Sequence, residues 1–446
     1  MIGIVMFITA LVLLVIGYPV AFTFGAVSMF FGFFSAIIEV MPDGGTWAEV
    51  VEEFLQMFSM MPFRIFSIMT NKILMAVPLF IFMGIVLQKS ELATRLLESM
   101  GVLFGRVRGG LAVSTVLIGA LLAASTGVVG ASVVAMGVIS LPVMLKHGYS
   151  KKLSTGTICA AGTLGQIIPP SIVLIVLGDV FQLPVGDLFK FAVLPGLMLV
   201  GAYVVYILAL AYWDKDVAPA VPVDETMTKR QNITKALIAI IPPLVLIVLV
   251  LGSIFAGIAT PTESASVGAL GSLILAWGYK QLSWDMIKEA STGTIKITAM
   301  VFAILIGATA FSMVFVYSGA DDITAEFMMN LPGEKWGFLI LSMLAIMFLG
   351  FFIDFIEISY IVVPILLPIA AQIGIDPLWF AILIALNLQT SFLTPPFGFS
   401  LFYLKGVAPP NVQTTDIYKG VIPFITIQII VLISIVLFPH FYGFSG

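Results

Sequence analysis

Charge is what this chain most lacks. Asp, Glu, Lys and Arg make up 10% of its 446 residues, while 60% are hydrophobic and the mean hydropathy is +1.15. A water-soluble domain carries roughly 25% charged residues and 45–50% apolar ones. A soluble fold with this balance would expose more apolar surface than water tolerates, so lipid is the solvent for most of the chain. Cysteine is nearly absent as well. Cys159 stands alone, which excludes an internal disulfide and a cysteine metal cage. The two histidines, His147 and His440, are far apart, which argues against a histidine metal centre. Lys and Arg nowhere cluster densely enough for a nucleic-acid surface. The chain has no His-Glu-x-x-His, no Ser/His pair within one span and no pair of membrane aspartates on facing helices, so no enzyme is expected. Met1-Ile-Gly-Ile-Val carries no positive n-region and reads as the start of a retained helix.

Long apolar runs are what the sequence has. A membrane span needs about 20 apolar residues. Residues 2–38 exceed that and are interrupted at Gly17-Tyr18-Pro19, giving spans over 2–17 and 19–38. An acidic outside loop with Glu39, Asp43, Glu49, Glu52 and Glu53 follows. Further spans are expected at 72–88, 153–181, 189–212, 236–256, 262–279, 296–317, 378–404 and 421–439. Two stretches, 111–145 and 336–370, are too long for one helix and carry Gly, Ser or Pro near the middle. Both read as re-entrant hairpins, whose irregular tips survive at depth only inside protein or beside water.

The charges support that reading. With both hairpins returning to their own side, one face collects Lys89, Arg95, Arg106, Arg108, Lys146, Lys151, Lys152, Lys215, Lys229, Arg230, Lys235, Lys280, Lys288, Lys296, Lys405 and Lys419, which is 16 of the 20 basic residues. The other face takes Glu39 to Glu53, Asp179, Asp187, Asp321, Asp322, Glu326, Glu334 and Asp376. The basic face is cytoplasmic by the positive-inside rule, so both termini are expected outside. Treating 111–145 as an ordinary span would flip every later loop and erase the asymmetry.

The chain also repeats itself at an offset of 226–228 residues. Leu141-Pro142 matches Leu367-Pro368, Gly148-Tyr-Ser matches Gly374-Ile-Asp, and Gln166-Ile-Ile-Pro-Pro matches Phe392-Leu-Thr-Pro-Pro. Each half runs span, amphipathic arm, hairpin, broken helix. The hairpins open from opposite sides, so the halves are inverted. The expected organisation is scaffold helices and an outside loop over 1–71, a first repeat over 72–212, a cytoplasmic linker over 213–235, scaffold helices over 236–295, and a second repeat with the last helix over 296–446.

The chemistry concentrates where helices break. Pro169-Pro170 and Pro395-Pro396 fall mid-membrane, and each proline releases the carbonyl four residues earlier. Those carbonyls belong to Gly165, Gln166, Ser391 and Phe392. Freed carbonyls and nearby hydroxyls are hard oxygen ligands suited to sodium, and the N–H groups of a restarted helix suit a carboxylate. A pair of kinked helices without a site is the plainer alternative, but two breaks at matching places favour a site. The first hairpin tip, Ala124-Ser125-Thr126-Gly127, allows close backbone approach or small-residue packing. In the second, Asp354 and Glu357 share a helix face, with sodium binding, a proton relay and structural pairing all open.

Gly162-Thr-Leu-Gly-Gln-Ile-Ile-Pro-Pro-Ser171, Gly374-Ile-Asp-Pro377 and Thr394-Pro-Pro-Phe-Gly398 resemble the large membrane subunit of the tripartite ATP-independent periplasmic (TRAP) transporters over essentially the whole chain. The run Asn387 to Tyr403 looks like the mannitol or chloroaromatic branch, whose members are associated with 2-oxo acids and lactate. The resemblance implies an all-α polytopic membrane protein of the inverted-repeat elevator type, with two re-entrant helical hairpins and two broken helices. It implies import of small organic acids across the bacterial inner membrane with sodium as the coupling ion and no other cofactor. It implies two partners, a small four-helix membrane subunit and a periplasmic solute-binding protein. Substrate contacts are then expected from Gln166, Asn387, Gln389, Ser391 and Thr394. Sodium ligands are expected from Ser125, Thr126, Gly127, Gly162, Thr163, Gly165, Asp354 and Thr390. A stand-alone sodium- or proton-coupled carboxylate symporter is the alternative.

The topology is checked by single cysteines placed in a Cys159→Ala background. Asp43→Cys and Asp322→Cys are expected to react with an impermeant maleimide added outside. Lys215→Cys and Lys288→Cys are expected to react only after permeabilisation. Labelling of both pairs from outside would break the hairpin assignment.

Overall fold

In a computed structural model the described residues are 1–92, 95–96, 99–100, 104, 107–126, 129–221 and 229–444, with the side chains of 123–126, 229–233 and 235 outside the description. Arg106, Gly127 and much of the polar linker therefore fall outside it. Every regular element among the described residues is helical. The order is α1 Ile2–Ile16, α2 Val20–Val40, α3 Trp47–Met57, α4 Met61–Thr70, α5 Ala76–Lys89, α6 Gly110–Thr126, α7 Val129–Lys146, α8 Lys151–Thr163, α9 Ile172–Val180 and α10 Val185–Trp213. It continues with α11 Lys229–Phe255, α12 Pro261–Gly278, α13 Trp284–Tyr317, α14 Ala320–Met329, α15 Lys335–Leu349, α16 Phe355–Gln372, α17 Pro377–Leu393, α18 Phe399–Val407 and α19 Thr414–Leu437. Among the described residues, seven of these helices are long and apolar enough to cross a membrane.

Local signals set the ends. Gly17 closes α1 in the left-handed conformation, at φ 103°, where only glycine is unstrained. Thr260 and Glu263 form a capping box on α12, with Pro261 as its first residue. Asp376 accepts from Leu378 N–H and Trp379 N–H to open α17.

Both 35-residue apolar stretches are helical hairpins, α6–α7 and α15–α16. The first has its ends tied to one place. Gly109 N–H donates to the Ala218 carbonyl at 3.0 Å, and Ser150 N–H donates to the Val217 carbonyl at 2.9 Å. The Tyr149 hydroxyl accepts from Leu111 N–H at 3.2 Å, closing the mouth of the hairpin. The second opens at Lys335, whose ammonium lies 5.3 Å from the ring centre of Trp379, just beyond the hairpin's other end. Phe181 and Phe380 are in edge contact, so this mouth lies beside the end of α9. A chain that crossed once in either stretch could not make these contacts.

The two halves correspond in detail. Gly148 and Gly374 turn the chain after each hairpin with φ of +79° and +74°. Pro142 and Pro368 sit inside the return helices. Pro195 and Pro423, 228 residues apart, sit inside the helices that follow the breaks, a match the residue-by-residue comparison missed. The broken helices hold the centre: from Leu153 to Thr163 and from Trp379 to Leu393 every residue is buried. Exposed Tyr212, Trp213, Trp277 and Trp284 stand at helix ends on the basic side, where aromatic rings suit a lipid–water boundary.

The stretch 39–71 departs from the sequence reading. The expected outside loop folds into α3 and α4. Thr46 and Glu49 form a capping box that starts α3, and its apolar residues alternate with Glu52 and Glu53 at helical spacing. The span expected at 296–317 begins earlier, at Trp284, because Ser283 caps the helix. Lys89 pairs there with Glu289.

At the crossing of α8 and α19 two glycines let backbones touch. A Cβ on Gly156 would overlap the Gly420 carbonyl, and one on Gly420 would overlap the Lys152 carbonyl. Gly156→Val is expected to lower the thermal midpoint in detergent, costing ~1–3 kcal/mol or more. Gly201→Ala, with nothing within 4 Å of its added Cβ, is the control. Equal midpoints for the two variants would contradict this packing.

Candidate functional site

The two helix breaks are built alike from different residues. At the first, α8 ends at Thr163, tightens into a 3-10 turn over Leu164–Gln166, and passes through the cis Pro169–Pro170 peptide before α9 starts. The Ser171 hydroxyl donates to the Gln166 carbonyl at 2.7 Å and accepts from Leu174 N–H at 3.5 Å. At the second, α17 ends at Leu393, the chain extends through Thr394 and the cis Pro395–Pro396 peptide, and α18 starts after Gly398. The Ser400 hydroxyl donates to the Phe392 carbonyl at 2.7 Å. Thr394 N–H donates to the Ser391 carbonyl at 3.2 Å. Gly398 is required, because a Cβ there would crowd the Phe392 carbonyl at 2.6 Å.

These bonds revise one expectation. The prolines do release the carbonyls of Gln166, Ser391 and Phe392, but each then gains a local donor. A carbonyl stranded in a low-dielectric interior is costly, and the serine after each break supplies the missing proton. Each oxygen keeps a second lone pair.

The hairpins close on the breaks. A Cβ on Gly162 would overlap the Val133 side chain, so α7 lies directly on the end of α8. A Cβ on Gly350 would overlap the Ser391 hydroxyl, so the tip of the second hairpin lies on α17. Tyr403 of α18 packs against Gly130 of the first hairpin. The Cys159 thiol sits 3.7 Å from the Ser400 carbonyl, which joins the two broken helices.

Two side chains stand out by what they lack. Gln166 and Gln389 are fully buried, and among the described residues neither amide has a partner for its oxygen or its nitrogen. An unsatisfied buried amide costs several kcal/mol at most and about 1–3 kcal/mol in proteins. The hydroxyls here are of another kind. Thr163, Thr390, Ser391 and Thr394 donate to the carbonyls of Ala160, Leu386, Leu388 and Thr390, at 2.7 to 2.9 Å. With their protons committed to the helix, their oxygens present only lone pairs. That suits a cation better than an anion.

The remaining expected residues divide. The Asn387 amide donates to the Met343 carbonyl at 2.6 Å, pinning the second hairpin to α17, and keeps its oxygen and one N–H. Gly162, in the last turn of α8, and Gly165, in the 3-10 turn after it, are both buried. Asp354 caps α16 and accepts from Phe355 N–H at 2.7 Å. Glu357 follows, 3% exposed, with Oε2 unpartnered. Ser125 and Thr126 lie in the last turn of α6, but their side chains, like Gly127, are outside the described residues. Sequence reasoning missed Ser400 and Tyr403, and quoted Ser171 without a role. A serine one residue beyond the first Pro-Pro was a usable signal; Ser400, four residues beyond the second, was not.

Loss of either covering hydroxyl is expected to cost about 1–3 kcal/mol, since a buried carbonyl is stranded. Ser171→Ala and Ser400→Ala should each lower the thermal midpoint, while Ser266→Ala, in α12, should not. Unchanged midpoints for the first two would mean that water or another donor reaches these carbonyls.

The model of the family described as "Tripartite ATP-independent periplasmic transporter, DctM component" matches residues 7–441. The C4-dicarboxylate TRAP transporter large permease protein DctM of Rhodobacter capsulatus is 32% identical over 381 residues, covering 82% of this chain and 85% of that protein. The isethionate TRAP transporter permease protein DctMQ of Oleidesulfovibrio alaskensis is 33% identical over 368 residues, covering 81% of this chain and 56% of that protein. Among solved structures, the YdaH transporter of Alcanivorax borkumensis has the same fold, with a TM-score of 0.61 over 88% of this chain and 90% of that one, at 15% identity.

Proposed function

Because the chain belongs to the DctM family of TRAP transporter large membrane subunits, we propose that it imports small organic acids across the bacterial inner membrane by sodium-coupled secondary transport. The substrates are small carboxylates, of which 2-oxo acids are one class. A periplasmic solute-binding protein delivers them, and a small four-helix membrane subunit completes the assembly. The similar proteins named for C4-dicarboxylate and isethionate transport are consistent with a small anionic substrate.

The unpartnered amides of Gln166 and Gln389 carry this reading. Each offers two N–H donors for a substrate carboxylate or oxo group and a carbonyl for a hydroxyl. Ser391, Thr394, Thr163 and Thr390 offer oxygens with no proton to give, alongside the carbonyls of Gly162 and Gly165, which is a donor set for sodium. Asp354, with Ser125, Thr126 and Gly127 at the other hairpin tip, would extend that set and offset the charge of the ion. Bound sodium in turn lowers the cost of bringing an anion into a membrane interior where these breaks present no Lys or Arg.

Movement completes the proposal. The hairpins, the broken helices, and α10 and α19 packed on them form a unit that slides against a scaffold. That scaffold comprises the helices of residues 1–71 together with α11 and α12. Both sites would travel with the unit, each hairpin opening on one side.

In proteoliposomes holding this chain with both partners, uptake of a labelled 2-oxo acid or C4-dicarboxylate is expected to require an inward sodium gradient and each partner. Gln166→Ala and Gln389→Ala should each reduce uptake about tenfold or more. Thr390→Val should raise the sodium concentration for half-maximal rate. Uptake by this chain alone would place it among stand-alone symporters. Uptake driven by a proton gradient without sodium would overturn the coupling ion.

A further inference from the structure

A second polar junction lies away from the breaks, near the outer end of α9. Asp179 is 9% exposed there. Its Oδ1 accepts from the Asn71 side-chain amide at 2.5 Å, and its Oδ2 accepts from the Tyr360 hydroxyl at 3.1 Å. The three residues come from three parts of the chain. Asn71 lies in the turn between α4 and α5, and its Oδ1 accepts from Ile73 N–H at 2.8 Å and Leu74 N–H at 3.3 Å. That turn is tied onward, because the Lys72 carbonyl accepts from the Thr262 hydroxyl at 2.7 Å, at the start of α12. Tyr360 lies in a single π-turn, Ile358–Val362, within the return helix of the second hairpin. Such turns are rare and concentrate at functional positions.

We propose that Asp179 is a latch that holds the moving unit against the scaffold in the state described here, with Asn71 as its scaffold half and Tyr360 as its brace. The proposal rests on the rigid-body movement put forward above. The Asp179–Tyr360 bond joins the first broken helix to the second hairpin, both within the unit, so it survives the movement. The Asn71–Asp179 bond crosses the boundary. Sliding by a few ångströms breaks it and leaves a buried carboxylate one donor short, which penalises the departed state. The junction touches neither proposed ligand site, so it sets the balance of conformations and not the affinity of either one.

Spin labels at Ile258→Cys, in the scaffold loop before α12, and Asp187→Cys, in the first turn of α10, read that balance in a Cys159→Ala background. Distances are measured in lipid nanodiscs with and without sodium. Two distances are expected, one dominant. Asn71→Ser keeps the acceptor of its turn but cannot reach Asp179, and should shift the ratio of the two roughly tenfold. Asn71→Asp also keeps the turn and sets two carboxylates face to face, so its shift should be larger. Tyr360→Phe leaves the crossing bond in place and should change the ratio least. One distance in every variant and condition would remove the moving unit and the latch together. Two distances whose ratio ignores both Asn71 variants would overturn the latch alone and leave the moving unit standing. Thermal midpoints of all variants separate a shifted balance from misfolding.

Discussion

A backbone carbonyl or amide in hydrocarbon has no water to bond, and the architecture follows from that constraint. A proline pair inside a membrane helix strands carbonyls, so a broken helix is stable only where protein encloses it. Here the helix arms that run into the breaks are buried residue by residue, from Leu153 to Thr163 and from Trp379 to Leu393. The hairpins lie on them, Gly162 against Val133 and Gly350 against Ser391. Ser171 and Ser400 return the stranded carbonyls to a hydrogen bond. Once those debts are met, Gln166 and Gln389 still have both amide atoms without a partner among the described residues, and both lie next to the breaks.

The inverted repeat explains why the solution appears twice. A single broken helix would open to one side only. Each of the two is met by its own hairpin, the first by α7 at Gly162 and the second by the α15–α16 tip at Gly350. The left-handed glycines Gly148 and Gly374 and the paired prolines Pro195 and Pro423 show how closely the halves agree in backbone where their side chains differ. The chemistry is not symmetric. The first break pairs a Ser171 cap with a glutamine of its own turn, whereas the second places Gln389 a full turn before its break and draws its capping hydroxyl from Ser400.

Much of the fold was legible in the sequence, because lipid imposes length and charge sidedness on every span. The hairpins could be read from two apolar stretches too long for one helix together with the distribution of lysine and arginine, and the breaks from Pro-Pro in matching frames. The helices α3 and α4 were not, since acidic side chains at helical spacing look like a loop when only hydropathy is followed. The chemistry was legible in part. Gln166 and Gln389 could be named, but not that their amides lack partners, which depends on packing. The hydroxyls of Ser391 and Thr394 read as substrate donors until the helix carbonyls that take their protons were seen. The Asn71–Asp179–Tyr360 junction joins residues 108 and 181 positions apart, with nothing local to announce it.

The central claim is that a small organic anion binds beside both breaks at once, against Gln166 and Gln389. The most direct measurement is a structure of the chain in lipid with its two partners, sodium, and a heavy-atom analogue of a small organic acid. The account predicts analogue density within hydrogen-bond reach of both glutamine amides. Density confined to another cavity, with both amides still unpartnered, would contradict it.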